Sequence, residues 1–154
     1  MRFQRQPTPT SCGPTCVAML TGQEVKEILV RLPGVRTPAR DHIRTHKTNY
    51  GEIQRLLECS SVRLYSREPG WPSVGTRAAL LRIAHPYRHG WHWVVQCGDH
   101  VYDPARPRPL RCSTYRRQVA VGRVGHYVVT WSRPAFRKPT PIPSKNHVAL
   151  SADL

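Results

Sequence analysis

An apolar run early in the chain follows the signals that usually start a helix. The segment CVAML comes directly after SCGP. Ser11 is a favourable N-cap, and Pro14 in a first turn removes only an N–H group that has no helical partner. The pattern predicts a helix over about residues 12–21 that ends at Gly22.

Two further helices are predicted before residue 60. The first covers about 23–31, and its apolar positions at helical spacing are Val25, Ile28, Leu29 and Leu32. The second covers about 50–58, with Thr48 or Asn49 as its cap, and its apolar face consists of Ile53, Leu56 and Leu57. The basic segment 35–47 between them shows no pattern and is expected to be a loop.

The periodicity changes from helical to strand-like after residue 60. Residues 61–65 alternate as a strand does, and residues 77–85 contain the apolar run AALLRIA. The segments HWVVQC and HVYDP predict a hairpin around Gly98-Asp99, and HYVVTW at 126–131 predicts another strand. Helices followed by an antiparallel sheet indicate an α+β fold.

Length and composition indicate one folded domain. The chain has 154 residues, of which 39% are hydrophobic, and this excludes a disordered chain. We expect the domain to cover residues 1–133, followed by an extended tail at 134–154 that contains proline and lysine. No apolar run approaches the length of a membrane span, and no secretory signal is visible. The expected location is therefore intracellular or within a virus particle.

Charge is the most unusual feature of the composition. Twenty-four lysine and arginine residues against nine acidic ones give a net charge of +15. Such a surface attracts polyanions, but the basic residues are spread along the chain without a nucleic-acid recognition motif. The charge therefore allows non-specific association with nucleic acid or another polyanion, including as a component of a virus particle, and does not indicate specific recognition. The five cysteines are an odd number, which argues against a disulfide scaffold.

Cys12 lies at the predicted start of the first helix. The unpaired N–H groups and the positive dipole end found there favour a thiolate, so Cys12 is the candidate nucleophile. Gly13 would allow a substrate to pass close to the backbone. Gln6 lies six residues upstream in an extended segment, and its side-chain amide could act as an oxyanion donor.

The candidate base is His92, which the predicted hairpin brings close to a carboxylate. With a two-residue turn at Gly98-Asp99, Cys97 pairs with His100, and the same register continues towards Asp103. His92 then lies on the same face as Asp103, one diagonal step away. The carboxylate could orient the imidazole and stabilise its protonated form.

These motifs together resemble the papain-like superfamily of cysteine peptidases, and within it the bacteriocin-processing, double-glycine leader peptidase group and its stand-alone relatives. The resemblance covers residues 4–131. The residues that carry it are Gln6-x5-Cys12-Gly13, Cys16, Met19, His92-Trp93-Val94-Val95 and Tyr102-Asp103-Pro104. It implies N-terminal helices packed on an antiparallel sheet, with the site between them.

The resemblance also implies the chemistry of the site. Cys12 would be the nucleophile, His92 the general base and acid, Asp103 its orienting group and Gln6 the oxyanion donor. The substrate would be a peptide or protein, and no metal or cofactor would be needed. The sequence departs from the leader-peptidase pattern at Ser11, where an acidic residue is usual, and it contains no transporter segment.

Three alternatives remain open at this point. Cys16 could replace Cys12 as the nucleophile, although it falls within the apolar run. A zinc site could be formed by histidines and cysteines, with the candidate ligands His85, His89, His92, Cys12 and Cys16. The protein could also be a non-catalytic basic protein of the same fold that associates with nucleic acid or a phage particle. The tryptophans at 91, 93 and 131 are expected to form core or cleft wall rather than a base-stacking surface.

Overall fold

The computed structural model describes residues 1–32, 35–36, 44–45, 47–73, 76–84, 90–119 and 123–132. Its helices are α1 (Cys12–Thr21), α2 (Val25–Arg31), α3 (Tyr50–Leu57) and α4 (Cys112–Gln118). Its strands are β1 (Val35–Arg36), β2 (Arg44–Thr45), β3 (Val62–Pro69), β4 (Ala78–Ala84), β5 (Trp91–Cys97), β6 (His100–Tyr102), β7 (Leu110–Arg111) and β8 (Val124–Trp131). The expected tail at 134–154 lies outside the described residues.

Six of the strands form one antiparallel sheet in the order β3-β8-β4-β5-β6-β7. Helix α1 packs against β5, and α2 and α3 pack against α1. The prediction of an α+β fold, with N-terminal helices beside an antiparallel sheet, is confirmed. No helix in the described part of the chain is long and apolar enough to cross a membrane.

Helix α1 is buried over nearly its whole length, as its apolar sequence predicts. It starts at Cys12 and ends where Gly22 adopts a left-handed conformation with φ 76°, which glycine adopts without strain. Ser11 occupies the N-cap position, but its hydroxyl does not cap the helix. It forms two hydrogen bonds with the backbone of Thr8 instead. This pairing fixes the turn that leads the extended N-terminal segment into α1.

Helix α3 follows its predicted boundaries closely. The Asn49 side chain accepts from the Glu52 N–H, and the Glu52 carboxylate accepts from the Asn49 N–H. This capping box selects Asn49 rather than Thr48 as the cap. Its buried face is the predicted set of Ile53, Leu56 and Leu57.

The β5–β6 hairpin has the predicted register. Cys97 pairs with His100 across the two-residue turn, in which Gly98 has φ 55°. Strand β6 ends at Tyr102, so β5 has no strand partner beside Trp93 on that side. The gap left there is where α1 meets the sheet.

Several expectations need correction. The segment 35–47 is not wholly a loop, because β1 and β2 pair within it. Strand β3 continues to Pro69 rather than ending near Tyr65, because pairing with β8 extends it across a register shift. The β7 strand and helix α4 were not predicted. Helix α4 covers the sheet face opposite α1, where Tyr115 packs among apolar residues of β4, β5 and β6.

Candidate active site

Cys12 stands at the first position of α1 and is 8% exposed. A residue at this position has no acceptor for its own N–H within the helix. The N–H groups of Gly13 and Trp93 both donate towards the sulphur. The Trp93 N–H is free to do so because the neighbouring strand has already ended. The sulphur therefore lies where the helix start meets the open edge of β5.

His92 lies beside Cys12 at the start of β5 and contacts Asp103, as the hairpin register predicts. Its Nε2 lies 2.7 Å from Asp103 Oδ1, and the ring also interacts with the Cys12 thiol. Since Nε2 is bonded to Asp103, the other ring nitrogen, Nδ1, faces the sulphur. The imidazole thus stands between the thiol and the carboxylate and interacts with both.

The electrostatics of Cys12, His92 and Asp103, the trio, favour the charged form of each side chain. Burial opposes ionisation of the thiol, but the hydrogen bond and positive charge of His92 outweigh it, so the pKa of Cys12 lies below its usual range. Burial also opposes the charged imidazole. Hydrogen bonds to Asp103 and Cys12, with their negative charges, nevertheless raise the pKa of His92 to about 10. The interactions within the pair therefore favour a thiolate beside an imidazolium.

Asp103 is held by more groups than the sequence indicated. Its Oδ1 also accepts from the Ala105 N–H at 2.8 Å, and its Oδ2 accepts from the Tyr115 hydroxyl at 2.8 Å. Burial would raise the pKa of Asp103, but its bond to His92 and these donors keep that pKa below its usual range. The carboxylate is consequently fixed in charge and in orientation.

Tyr115 is the residue of this site that sequence reasoning missed. It is 1% exposed and lies on α4, on the far side of the sheet from α1. Burial and the charge of Asp103 raise its pKa well above the usual range, so the hydroxyl stays protonated and donates. A tyrosine within a basic segment gives no sequence signal for this contact. Only the helix that carries it over the sheet creates the contact.

Gln6 is brought to the same end of the sheet by its backbone. Its N–H donates to the Pro104 carbonyl at 2.9 Å, directly after Asp103. Its side-chain Oε1 is buried and has no hydrogen-bond partner among the described residues. The extended N-terminal segment therefore places the Gln6 amide, with an unpaired acceptor oxygen, near the Asp103 loop.

The lack of a side chain at Gly13 serves the packing of the chain itself, whereas the sequence suggested a close approach of substrate there. A Cβ at this position would lie 1.8 Å from Thr48 Oγ1 and 3.3 Å from a Trp93 ring carbon. Trp93 in turn donates from its indole N–H to the Thr48 carbonyl at 2.9 Å. The absence of a side chain thus lets the segment before α3 close against the start of α1.

Cys16 is fully buried, which agrees with a core role and disfavours it as the rival nucleophile. Burial, together with the nearby negative charges of Cys12 and Asp103, raises the pKa of Cys16 well above the usual range. The zinc alternative includes His85 and His89, which lie outside the described residues. Among the residues that the structure describes, no three or more histidine, cysteine or acidic side chains form a group that could hold a metal ion.

The tryptophans do not behave as one set. Trp93 is 2% exposed and belongs to the core, as expected. Trp91 and Trp131 are 39% and 38% exposed, so these two do not belong to the core, the first of the two roles expected for them. Trp91 lies beside His92 and carries the guanidinium of Arg82 at 3.8 Å from its ring centre. It forms part of the surface next to the trio.

Comparison with known protein families gives no match, and a search of curated proteins gives none either. A function for this chain has to be inferred from the arrangement of its own side chains.

Proposed function

We propose that this protein is a papain-like cysteine peptidase that cleaves a peptide bond with Cys12, His92 and Asp103. The observation that carries the proposal is the position of His92 between Cys12 and Asp103, with Nε2 of the imidazole 2.7 Å from the carboxylate and the ring close enough to the thiol to lower its pKa. A nucleophile, a base and an orienting group in contact are the requirements for thiol catalysis.

The proposed reaction begins with attack of the Cys12 thiolate on the peptide carbonyl carbon. The carbonyl electron pair moves to oxygen, and the resulting oxyanion accepts from the Cys12 backbone N–H and the Gln6 amide. When the C–N bond breaks, the His92 imidazolium gives its Nδ1 proton to the leaving amine. The product at this stage is a thioester between Cys12 and the acyl part of the substrate.

Water then completes the cycle. The neutral His92 removes a proton from water, which attacks the thioester carbonyl, and the thiolate leaves as the acid product forms. Asp103 keeps the ring oriented and stabilises its charged form in both steps. An amine in place of water would give acyl transfer with the same groups.

A labelling experiment tests the proposal. At pH 6 an ordinary thiol, with a pKa of about 8.5, is almost entirely protonated and reacts slowly with iodoacetamide. Mass spectrometry should find Cys12 carboxamidomethylated well before Cys59, an exposed cysteine that serves as the internal control. The variant Cys12→Ser should lose both this label and cleavage of a fluorogenic peptide library. Cys16→Ser should lower stability and retain both.

Two outcomes would contradict the proposal. Equal labelling of Cys12 and Cys59 at pH 6 would mean that Cys12 is not activated. Selective labelling without any peptide cleavage by the wild-type protein would favour the non-catalytic binding protein on the same fold.

A further inference from the structure

A pair of arginines lies on the sheet face against which α1 packs, the face that also carries Trp93. Arg82 on β4 stands opposite Trp93 on β5, and the N–H of Trp93 donates to the Cys12 sulphur. Neighbouring strands are about 4.8 Å apart, so the Arg82 backbone is one strand spacing from the residue that touches the nucleophile. Its guanidinium lies flat over Trp91, 3.8 Å from the ring centre.

Arg67 on β3 reaches the same place from the other direction. A Cβ on Gly125 would lie 2.9 Å from Arg67 Nε and 3.3 Å from its Nη2. The absent side chain therefore leaves room for the Arg67 guanidinium to lie across β8 towards Arg82, which is paired with Gly125. Burial and the positive charge of Arg67 lower the pKa of Arg82, a sign that the two cations are close.

The pair is not neutralised within the described part of the chain. None of the ion pairs found there includes Arg67 or Arg82. The nearest carboxylate in sequence, Glu68, lies on the opposite face of the sheet, where it is 3.5 Å from His126 Nε2. Two guanidinium groups held together without an anion form a site to which a carboxylate would bind favourably.

We propose that Arg67 and Arg82, with Trp91 as the support of Arg82, form a subsite that binds a carboxylate of the peptide substrate next to the scissile bond. This inference rests on the proposed function. The carboxylate could belong to an acidic side chain or to the C-terminus of the peptide. The planar guanidinium groups can pair with either source through two parallel hydrogen bonds.

The test compares two alkylating reagents that differ in charge. Iodoacetate is an anion and iodoacetamide is neutral, and both form the same thioether bond to Cys12 with loss of iodide. The ratio of their rates at Cys12 therefore reports the local electrostatic field. At low salt Arg82→Gln should lower this ratio by roughly two- to fourfold, as expected for one charge about 10 Å from the sulphur. Arg67→Gln should lower it by a smaller factor, because β8 and β4 lie between β3 and β5.

Three controls make the result specific. Arg63→Gln removes an equal charge from an exposed position of β3, four residues from Arg67 and towards the end of the sheet away from Trp93, and should leave the ratio unchanged. Arg82→Lys keeps the charge and should retain most of the ratio. Salt at 1 M should reduce the ratio of the wild-type protein, because it screens charges beyond about 3 Å.

A protection experiment identifies the source of the carboxylate. Three blocked dipeptides compete with iodoacetamide: one with a glutamate side chain and an amidated end, its glutamine analogue with a free C-terminal carboxylate, and the fully neutral glutamine amide. The carboxylate that binds the subsite should make its peptide protect Cys12 better than the neutral peptide does. This advantage should disappear in Arg82→Gln.

The outcomes separate the subsite from the peptidase proposal. A rate ratio that falls as much in Arg63→Gln as in Arg82→Gln, or protection by neither carboxylate, would overturn the subsite while leaving the activated thiol in place. Failure of Cys12 to react selectively with either reagent would instead overturn the proposed function.

Discussion

Replacing Asp103 by asparagine removes the negative charge that faces His92 and keeps the size of the side chain. Asp103 is 4% exposed, and its Oδ1 lies 2.7 Å from Nε2 of the imidazole. The Tyr115 hydroxyl donates to its other oxygen at 2.8 Å. An asparagine has one oxygen for these two donors, so at least one of them loses its acceptor.

The expected magnitude follows from the hydrogen bond to a charged group. Such a bond contributes roughly 1.5–3 kcal/mol, and 1.36 kcal/mol corresponds to one pKa unit. In Asp103→Asn we therefore expect the pKa of His92 to fall by about 1–2 units from its value of about 10. Peptide cleavage should also fall, but less than in His92→Ala, because Asp103 transfers no proton in the proposed reaction.

The same shift predicts a pH dependence of stability. The pKa of His92 is raised by folding, so the stability it contributes is complete below its usual pKa of about 6.5. This contribution is lost as the pH rises through about 10. The pKa of Asp103 is lowered by folding, so its own contribution is lost as the pH falls below the usual carboxyl range. In Asp103→Asn, both the loss of stability at high pH and the loss at low pH should therefore be smaller.

The assay is an NMR titration of ¹⁵N-histidine in the wild-type protein and the variant, with urea unfolding at several pH values. Asp99→Asn is the matched control, since Asp99 is an exposed residue of the adjacent turn. An imidazole of His92 that titrates near its usual pKa in the wild-type protein would refute the reasoning. So would a titration that Asp103→Asn leaves unchanged.

Three other substitutions test separate parts of the site. Gln6→Ala should lower kcat by roughly 10²–10³ and leave thiol alkylation nearly unchanged, and an equal loss of both would mean that Gln6 only holds its loop. Tyr115→Phe should raise the pKa of Asp103 and lower that of His92 by up to about one unit, measured by the same titration; a loss of stability without this shift would make Tyr115 purely structural. Gly13→Ala places a Cβ 1.8 Å from Thr48 Oγ1 and should cost roughly 1–3 kcal/mol in urea unfolding, and Thr48→Ala should restore part of that loss.

Local signals in the sequence were sufficient for the elements that carry the trio. The end of α1 at Gly22 follows from a short-range backbone preference, and its start at Cys12 follows a turn that Ser11 fixes through Thr8, so both depend on neighbouring residues only. The approach of His92 to Asp103 follows from counting along a hairpin with a two-residue turn, because strand register is fixed by the turn. The sequence therefore determined which carboxylate the imidazole meets.

Only the tertiary structure decided which distant residues support the trio. Tyr115 reaches Asp103 because α4 crosses the sheet face opposite α1, and Thr48 meets Gly13 because α3 packs against α1. The arginine pair exists because β8, late in the chain, lies between β3 and β4. Such contacts join residues that are far apart in sequence and leave no periodic pattern, since they depend on the order of strands and not on local backbone preference.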